Sequence, residues 1–443
     1  MFVRIDNTPR DYAWGSTTAI AELLGRAASG GPEAELWLGA HPASPSRILD
    51  PSQTGGARDL AEWIARDPHA ALGLQAAAGG AGEPRLPYLM KVLAAEGPLS
   101  LQAHPSAEQA REGFARENAA GIPLDAPERN YKDAFHKPEL LYALSDRFEA
   151  LCGFREVTDA LADVQRLVDA ASSDASAALT AFRDRLAVQA DAEQVLRNAV
   201  AWLLESATGI AELVAETIEA AARVIAQAGE ASDEPPLRPF ATVGTLAAGF
   251  PGDPGIVLSL LLHRVTLRRG EALYLPAGNI HAYLHGVGVE LMASSDNVMR
   301  GGLTPKHIDV PELMRVLHFT PLPVPYLPAE SHVGDVEIFR PDVPDFQLVH
   351  VGRRARELGA GESGAGFAGA GVAAAGVLRA DEDAPEIQLV GPAIALCVAG
   401  SVRLQSPGGQ VGLKRGETVY VTPDEASIAI VGDGSVFIAT ENI

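Results

Sequence analysis

The segment Gly270–Arg300, GEALYLPAGNIHAYLHGVGVELMASSDNVMR, holds the residues of this chain best placed to do chemistry. Its first half reads as a β-hairpin turning through Pro276-Ala277-Gly278, with His281 three residues past the glycine. Its second half ends in Ser295-Asp296-Asn297-Val298-Met299-Arg300, which sets an acid and a guanidinium just beyond the following strand. An arginine there can grip an anion bidentately, which points to a phosphorylated or carboxylated substrate. Farther back, Leu99-Ser100-Leu101-Gln102-Ala103-His104 alternates apolar and polar residues, as a half-buried strand does. Ser100, Gln102 and His104 then share one face, and Gln102 and His104 can reach one ion. In Tyr131–Leu141, charged residues press against an apolar run. On an extended backbone Lys137 and Glu139 face the same way, and Pro138 confines the piece to a strand start or edge. By itself this segment reads equally well as a solvated turn or as a site. A second Ala-His-Pro, Ala40–Pro42, has Gly39 where a glutamine would be needed, so His41 is read as a surface or loop histidine. Lys91 lies in the buried-type run Leu89-Met90-Lys91-Val92-Leu93, where a charge needs a partner.

The elements that must position these groups differ along the chain. Up to about residue 150, short apolar runs punctuated by Pro, Gly and Asp read as strands. From Arg155 to Thr208 there is neither glycine nor proline, and Leu161, Val164, Leu167 and Val168 recur at helical spacing. The pattern runs on through Ile225 and stops at Gly229 and Pro235-Pro236, so Arg155–Ala231 reads as a helical insertion in a β-rich domain. Strands resume near Gly255, and the chain is β-rich again from about Leu327. Arg269-Gly270-Glu271-Ala272-Leu273-Tyr274-Leu275-Pro276 is echoed by Arg415-Gly416-Glu417-Thr418-Val419-Tyr420-Val421-Thr422. Two related jelly rolls would explain the echo. The later copy has no histidine matching His281, and the chain has none after His350, so the C-terminal barrel is read as metal-free. The expected fold is mainly β with an α-helical insertion. Its expected domains are a discontinuous barrel (1–154 and 236–326), a helical domain (155–235) and a C-terminal jelly roll (327–443).

A length of 443 residues suits two or three domains. The formal net charge of −22 argues against general nucleic-acid or anionic-membrane binding, which needs a basic footprint. Cys152 and Cys397 are the only cysteines and imply no disulfide framework. The first residues, MFVRIDNTPRDYAWGS, have no apolar core of a signal peptide, and the expectation is a cytoplasmic protein. The Ala/Gly-rich run Ser363–Leu378 is too short and weakly apolar to span a bilayer and reads as a loose strand or loop.

The spacing of Gly270, Pro276, Gly278 and His281 resembles the second motif of the cupin barrel, whose histidine binds a metal. More of the chain is similar to the type I mannose-6-phosphate isomerases, zinc enzymes of the cupin class. The similarity is carried by Tyr12-Ala13-Trp14-Gly15-Ser16, Ala34–Pro42, Lys91-Val92-Leu93, Gln102-Ala103-His104-Pro105, Tyr131-Lys132-Asp133, His136-Lys137-Pro138-Glu139 and Ala277–Lys306. The resemblance implies one zinc ion held by Gln102, His104, Glu139 and His281. It also implies a central catalytic barrel flanked by a helical domain and a second jelly roll. The default expectation is a monomer acting on a sugar phosphate. Two imidazoles, a carboxylate and an amide oxygen suit zinc, with manganese or cobalt next.

Aldose–ketose isomerisation needs ring opening, a proton moved between C2 and C1, and stabilisation of an enediolate. Lys137 is the leading candidate for proton transfer and Glu290 its competitor. His136 and Asp296 are candidates for ring opening. Arg300, Lys91 and Lys306 are expected on phosphate or enediolate oxygen, with Ser100 also facing the substrate. Trp14 reads either as a pocket wall or as core. One position departs from the family: Phe135 stands where asparagine is usual, and it cannot supply that hydrogen bond to orient His136. His285 also replaces a common asparagine and is read as a supporting residue. The alternatives are a cupin isomerase for another aldose phosphate and a non-catalytic sugar-phosphate sensor. A sensor should have lost a ligand or a basic group, and here none is missing.

Overall fold

The computed structural model describes residues 1–78, 84–171, 176–206, 208–229, 234–332, 336–353 and 384–442. The Ser363–Leu378 run lies outside them. Two antiparallel sheets and a block of helices make up the described structure.

The sheet that carries the chemistry is organised by the strand His281–Ala293. The first part of this strand pairs with Leu101–Ala103 and Phe148–Phe154. Its later part pairs with Tyr88–Ala95 and Glu139–Ala143. Side chains alternate across the sheet, and the alternation sorts apolar from chemical residues. Met90, Val92, Ala94, Leu140, Tyr142, Val289 and Leu291 point to one core, shared with Ile394, Leu396 and Phe437 of the other sheet. Leu93, Leu141, Phe148, Cys152, Leu273 and Tyr283 form a second core on the opposite, inner face. Lys91 and Glu139 have the parity of that inner face.

Along the long strand itself, His281 and Tyr283 are odd-numbered, whereas the inward Glu290 and Met292 are even. A β-bulge reconciles them: Tyr283 pairs with Ala150 and His285 with Glu149, so one residue is inserted and the parity flips. His281 and Glu290 therefore face the same side. The expected hairpin is not formed, because Ala272–Leu275 pairs with Glu139–Ala143 and not with the strand that follows it. Gly278 does turn the chain, at φ +76°, with His318 where a Cβ would lie.

The helical segment is longer than its sequence pattern indicates. Val157–Ala170, Ala177–Leu186, Ala192–Glu205 and Ile210–Ala228 are followed by Arg238–Gly249, and strands resume only at Leu262. Leu167, Phe182, Leu196, Leu213 and Phe240 bury their faces in one core with Leu101, Ile280 and Ala282 of the sheet. The N-terminal region is less purely strand-like than its punctuation suggests. It contains the helices Ala19–Leu24, Leu60–Arg66, Pro68–Ala78 and Ala107–Ala119, the last opened by a Ser106/Gln109 capping box.

The other sheet gathers the strands beyond residue 327 and also takes the first strand of the chain. Phe2–Asp6 pairs with Thr418–Val421, from Phe2 opposite Val421 to Ile5 opposite Thr418. The sequence echo is an identical turn. Gly270 and Gly416 adopt φ +93° and +85°. Glu271 and Glu417 each accept, at 2.8 Å, the backbone N–H three residues earlier, from Arg268 and Lys414. Both buried cysteines are free, and no helix among the described residues is long and apolar enough to cross a membrane.

Candidate active site

Three buried side chains meet on the inner face. His104, Glu139 and His281 each bring one ligand-type atom within 4.8 Å of the others. Both rings are fixed from behind: His104 Nδ1 lies 2.8 Å from the Asn297 carbonyl and His281 Nδ1 3.1 Å from that of Asn279. A carbonyl only accepts, so each neutral ring carries its proton on Nδ1 and leaves Nε2 as a bare lone pair. Each Nε2 then faces the carboxylate of Glu139, at 3.2 Å from Oε1 and Oε2 respectively. Burial and then the charge of Lys137 push the His104 pKa down to about 4, which keeps that ring neutral. Acceptors thus confront acceptors, and His104 Nε2 and Glu139 Oε2 have no hydrogen-bond partner. Such a cradle suits a cation.

Register supplies the fourth donor. Gln102 is directly opposite His281, and its amide lies 3.3 Å from His281 Nε2. Turning the amide over brings its oxygen to the same place. The buried charges agree, since Glu35, Glu139 and Glu290 outnumber Lys91 and Lys137. A divalent ion would reverse that deficit.

Lys137 Nζ is 3.0 Å from Glu139 Oε1. Burial pushes the Glu139 carboxyl up, but the Lys137 ammonium and the two histidines together outweigh it and hold the group well below the usual carboxylate range. Lys91 Nζ is 2.8 Å from Glu290 and 3.6 Å from Glu35, and Glu35 also accepts the Trp37 indole N–H at 2.8 Å. Burial would lower the Lys91 pKa, yet these carboxylates raise it well above the ordinary value. Glu290 is raised: burial dominates, and Lys91 offsets it only in part.

Arg300 is the cross-strand neighbour of Gln102 on the side away from His281. Burial lowers its pKa, and it has no ion pair among the described residues. Its charge depresses Lys132 and Lys306 too, after their own burial, so three cations share this rim. Asn297, fully buried, ties the rim to the cluster. Its side chain accepts from the Lys132 N–H at 2.7 Å and donates to the Phe135 carbonyl at 2.8 Å.

Residues 2–157 match the model of the phosphomannose isomerase type I catalytic domain. The mannose-6-phosphate isomerase of Salmonella typhimurium is 36% identical over 433 residues, covering 97% of each chain. The chain belongs to the type I mannose-6-phosphate isomerases. A crystal structure of a single-substitution variant of phosphomannose isomerase from Salmonella typhimurium superposes with a TM-score of 0.81 at 34% identity, covering 100% of both chains. A mannose 6-phosphate isomerase solved with zinc and yttrium gives 0.78 at 34% identity, again with 100% of both chains covered.

In this isomerase the structure brings Gln102, His104, Glu139, His281 and Lys137 together, with Arg300 beside them. The remaining candidates differ in their surroundings. Lys91 is paired with two buried carboxylates, Glu35 and Glu290. His136 turns away from Lys137's side of the backbone and meets Asp345 Oδ2 at 2.8 Å. The Phe135 ring lies at the surface under Arg85, whose Cζ is 3.4 Å from the ring centroid. His285 is exposed rather than a support. Ser100 lies half-buried at the start of the Leu101–Ala103 strand, and Lys306 is exposed near Arg300. Trp14 stacks on Tyr12 at 5.7 Å and packs on the inner core with Leu99.

Sequence reasoning passed over Asn297 and Glu35 and read His41 as a surface or loop histidine. His41 is 4% exposed, not a surface residue, and its Nε2 lies 3.3 Å from Asp296 Oδ1. The repeat of Ala-His-Pro was the available signal for it.

Proposed function

We propose that the enzyme is zinc-dependent and interconverts mannose 6-phosphate and fructose 6-phosphate through an enediol(ate). One zinc ion per chain would be held by Gln102, His104, Glu139 and His281. The observation that carries this reading is the pair of Nε2 acceptor atoms aimed at a buried carboxylate, with His104 Nε2 and Glu139 Oε2 left without hydrogen-bond partners. When bound, the ion supplies Lewis-acid polarisation of the sugar oxygens.

The protein's own groups supply the rest. Of the two candidate bases, Lys137 and Glu290, we assign the C2 proton, returned to C1 of the enediol(ate), to Glu290, whose carboxyl is raised by burial. Lys137, tied to Glu139, and Arg300, with no counter-ion among the described residues, are placed to hold negative oxygen. Lys132, Arg300 and Lys306 form the cationic rim that phosphate requires. Asp296 opens the ring. The architecture fits a central cupin-like catalytic barrel flanked by a helical domain and a second jelly roll, with the first strand, Phe2–Asp6, assigned to the C-terminal roll. The repeated glycine turn supports that kinship.

The test is to incubate metal-loaded protein with several aldose 6-phosphates and follow ketose formation. Mannose 6-phosphate should be the preferred substrate. Glu290→Gln should stop exchange of the C2 proton with solvent while leaving bound metal unchanged. Preference for another aldose phosphate, or undiminished exchange in that variant, contradicts the reading.

A further inference from the structure

His41 has the geometry of a residue that prepares another for catalysis. The Ala43 backbone N–H donates to its Nδ1 at 3.2 Å. In the neutral ring the proton must then sit on Nε2, which faces Asp296 Oδ1 at 3.3 Å. The ring is held edge-on against Trp37, with centroids 4.9 Å apart. Trp37 is itself anchored through its N–H to Glu35, the partner of Lys91. The other side of the loop is fixed as well, because the Asp296 N–H donates to Asp133 Oδ2 at 2.9 Å and the Ser295 hydroxyl to Asp133 Oδ1 at 2.8 Å. Asp296 Oδ2 has no partner among the described residues. Both His41 and Asp296 line a cavity of about 870 Å³, with Lys132 on its wall.

We propose that His41 is a positioning residue for Asp296, fixing one carboxylate oxygen so that the other takes the anomeric hydroxyl proton during ring opening. This rests on the isomerase reading given above. As the O1–H bond breaks, C1=O1 forms and C1–O5 cleaves. O5 takes a proton from water, and the resulting hydroxide recovers the proton held by Asp296. Burial would raise the Asp296 pKa, but the His41 hydrogen bond, then Lys137 and Lys91, hold it below the ordinary value. Asp133 and Lys132 are the other charged groups facing it. Without His41 the base stays protonated to higher pH.

The metal-loaded enzyme is assayed on mannose 6-phosphate across pH as wild type, His41→Ala, His41→Gln, Asp296→Asn and the double variant His41→Ala/Asp296→Asn. His41→Ala should lose about tenfold or more in kcat, with the acid limb of kcat/KM moved to higher pH and metal content unchanged. His41→Gln, which restores an N–H at similar reach, should recover most of the rate and return the limb. The double variant should be no slower than Asp296→Asn. An unmoved acid limb in His41→Ala overturns the proposal. So do losses that multiply in the double variant, and so does full activity in Asp296→Asn. Wild-type protein inert toward every aldose phosphate would strike the isomerase reading instead.

Discussion

Arg300 stands beside Gln102 with its guanidinium unpaired among the described residues. An uncompensated, partly buried cation next to a metal cradle is placed for charge that arrives with the substrate. Arg300→Ala should therefore lower kcat/KM by about 10²–10³-fold, in the range of an oxyanion donor, and leave metal content unchanged. Steady-state kinetics with metal analysis checks this; loss of metal alongside activity would mean a structural role. At this scale the sequence was most legible where residue type announces chemistry. Gln102 and His104 share a strand face, and His281 follows a recognisable turn. Lys91 announced a buried charge but not its partners, because Glu35 and Glu290 come from other strands. Asn297 gave no signal, since it orients His104 through a main-chain carbonyl that any residue possesses.

The elements bring these groups together through features that alternation alone does not reveal. The bulge near Leu284 is written in a run, HAYLHGVGVE, that reads as an unbroken strand, and the Pro276–Gly278 turn looks like a hairpin although its arms pair elsewhere. The helix Val310–Val316 is a second case. Its Glu312 is buried among Tyr131, Arg315 and Arg116, the last from helix Ala107–Ala119. Burial raises the Glu312 pKa, but hydrogen bonds from Tyr131 and Arg315 and the charges of Arg116 and Arg315 outweigh it, leaving a net lowering. A carboxylate with a lowered folded-state pKa stabilises the fold above its unfolded value, near pH 4.3, and loses that contribution as pH falls through the lowered one. Glu312→Gln should thus reduce Tm at neutral pH, and the deficit should shrink as pH falls from about 5 to about 3. Thermal melts of both proteins across that window decide it; a deficit that grows toward acid contradicts the pairing.

Across the whole molecule, the chain's first strand joins the sheet built by the strands beyond residue 327 and carries Arg47–Ile48 at its edge. Val3 and Ile5 are buried there, although their segment reads as the start of the N-terminal unit. The composition shift at Arg155 exposed the helical block, but nothing local could show that residues 2–6 belong with residues 418–421. Ile5→Ala should cost roughly 2–4 kcal/mol in urea unfolding, as for a truncated core aliphatic, with little effect on turnover. A cost near zero would mean the strand is dispensable. The cradle of Gln102, His104, Glu139 and His281 should hold one zinc ion. Metal-free protein should be titrated with zinc while conversion of mannose 6-phosphate is followed. Activity should start near zero and rise linearly to a break at one zinc per chain. Full turnover before any zinc is added, or a break at two, would contradict it.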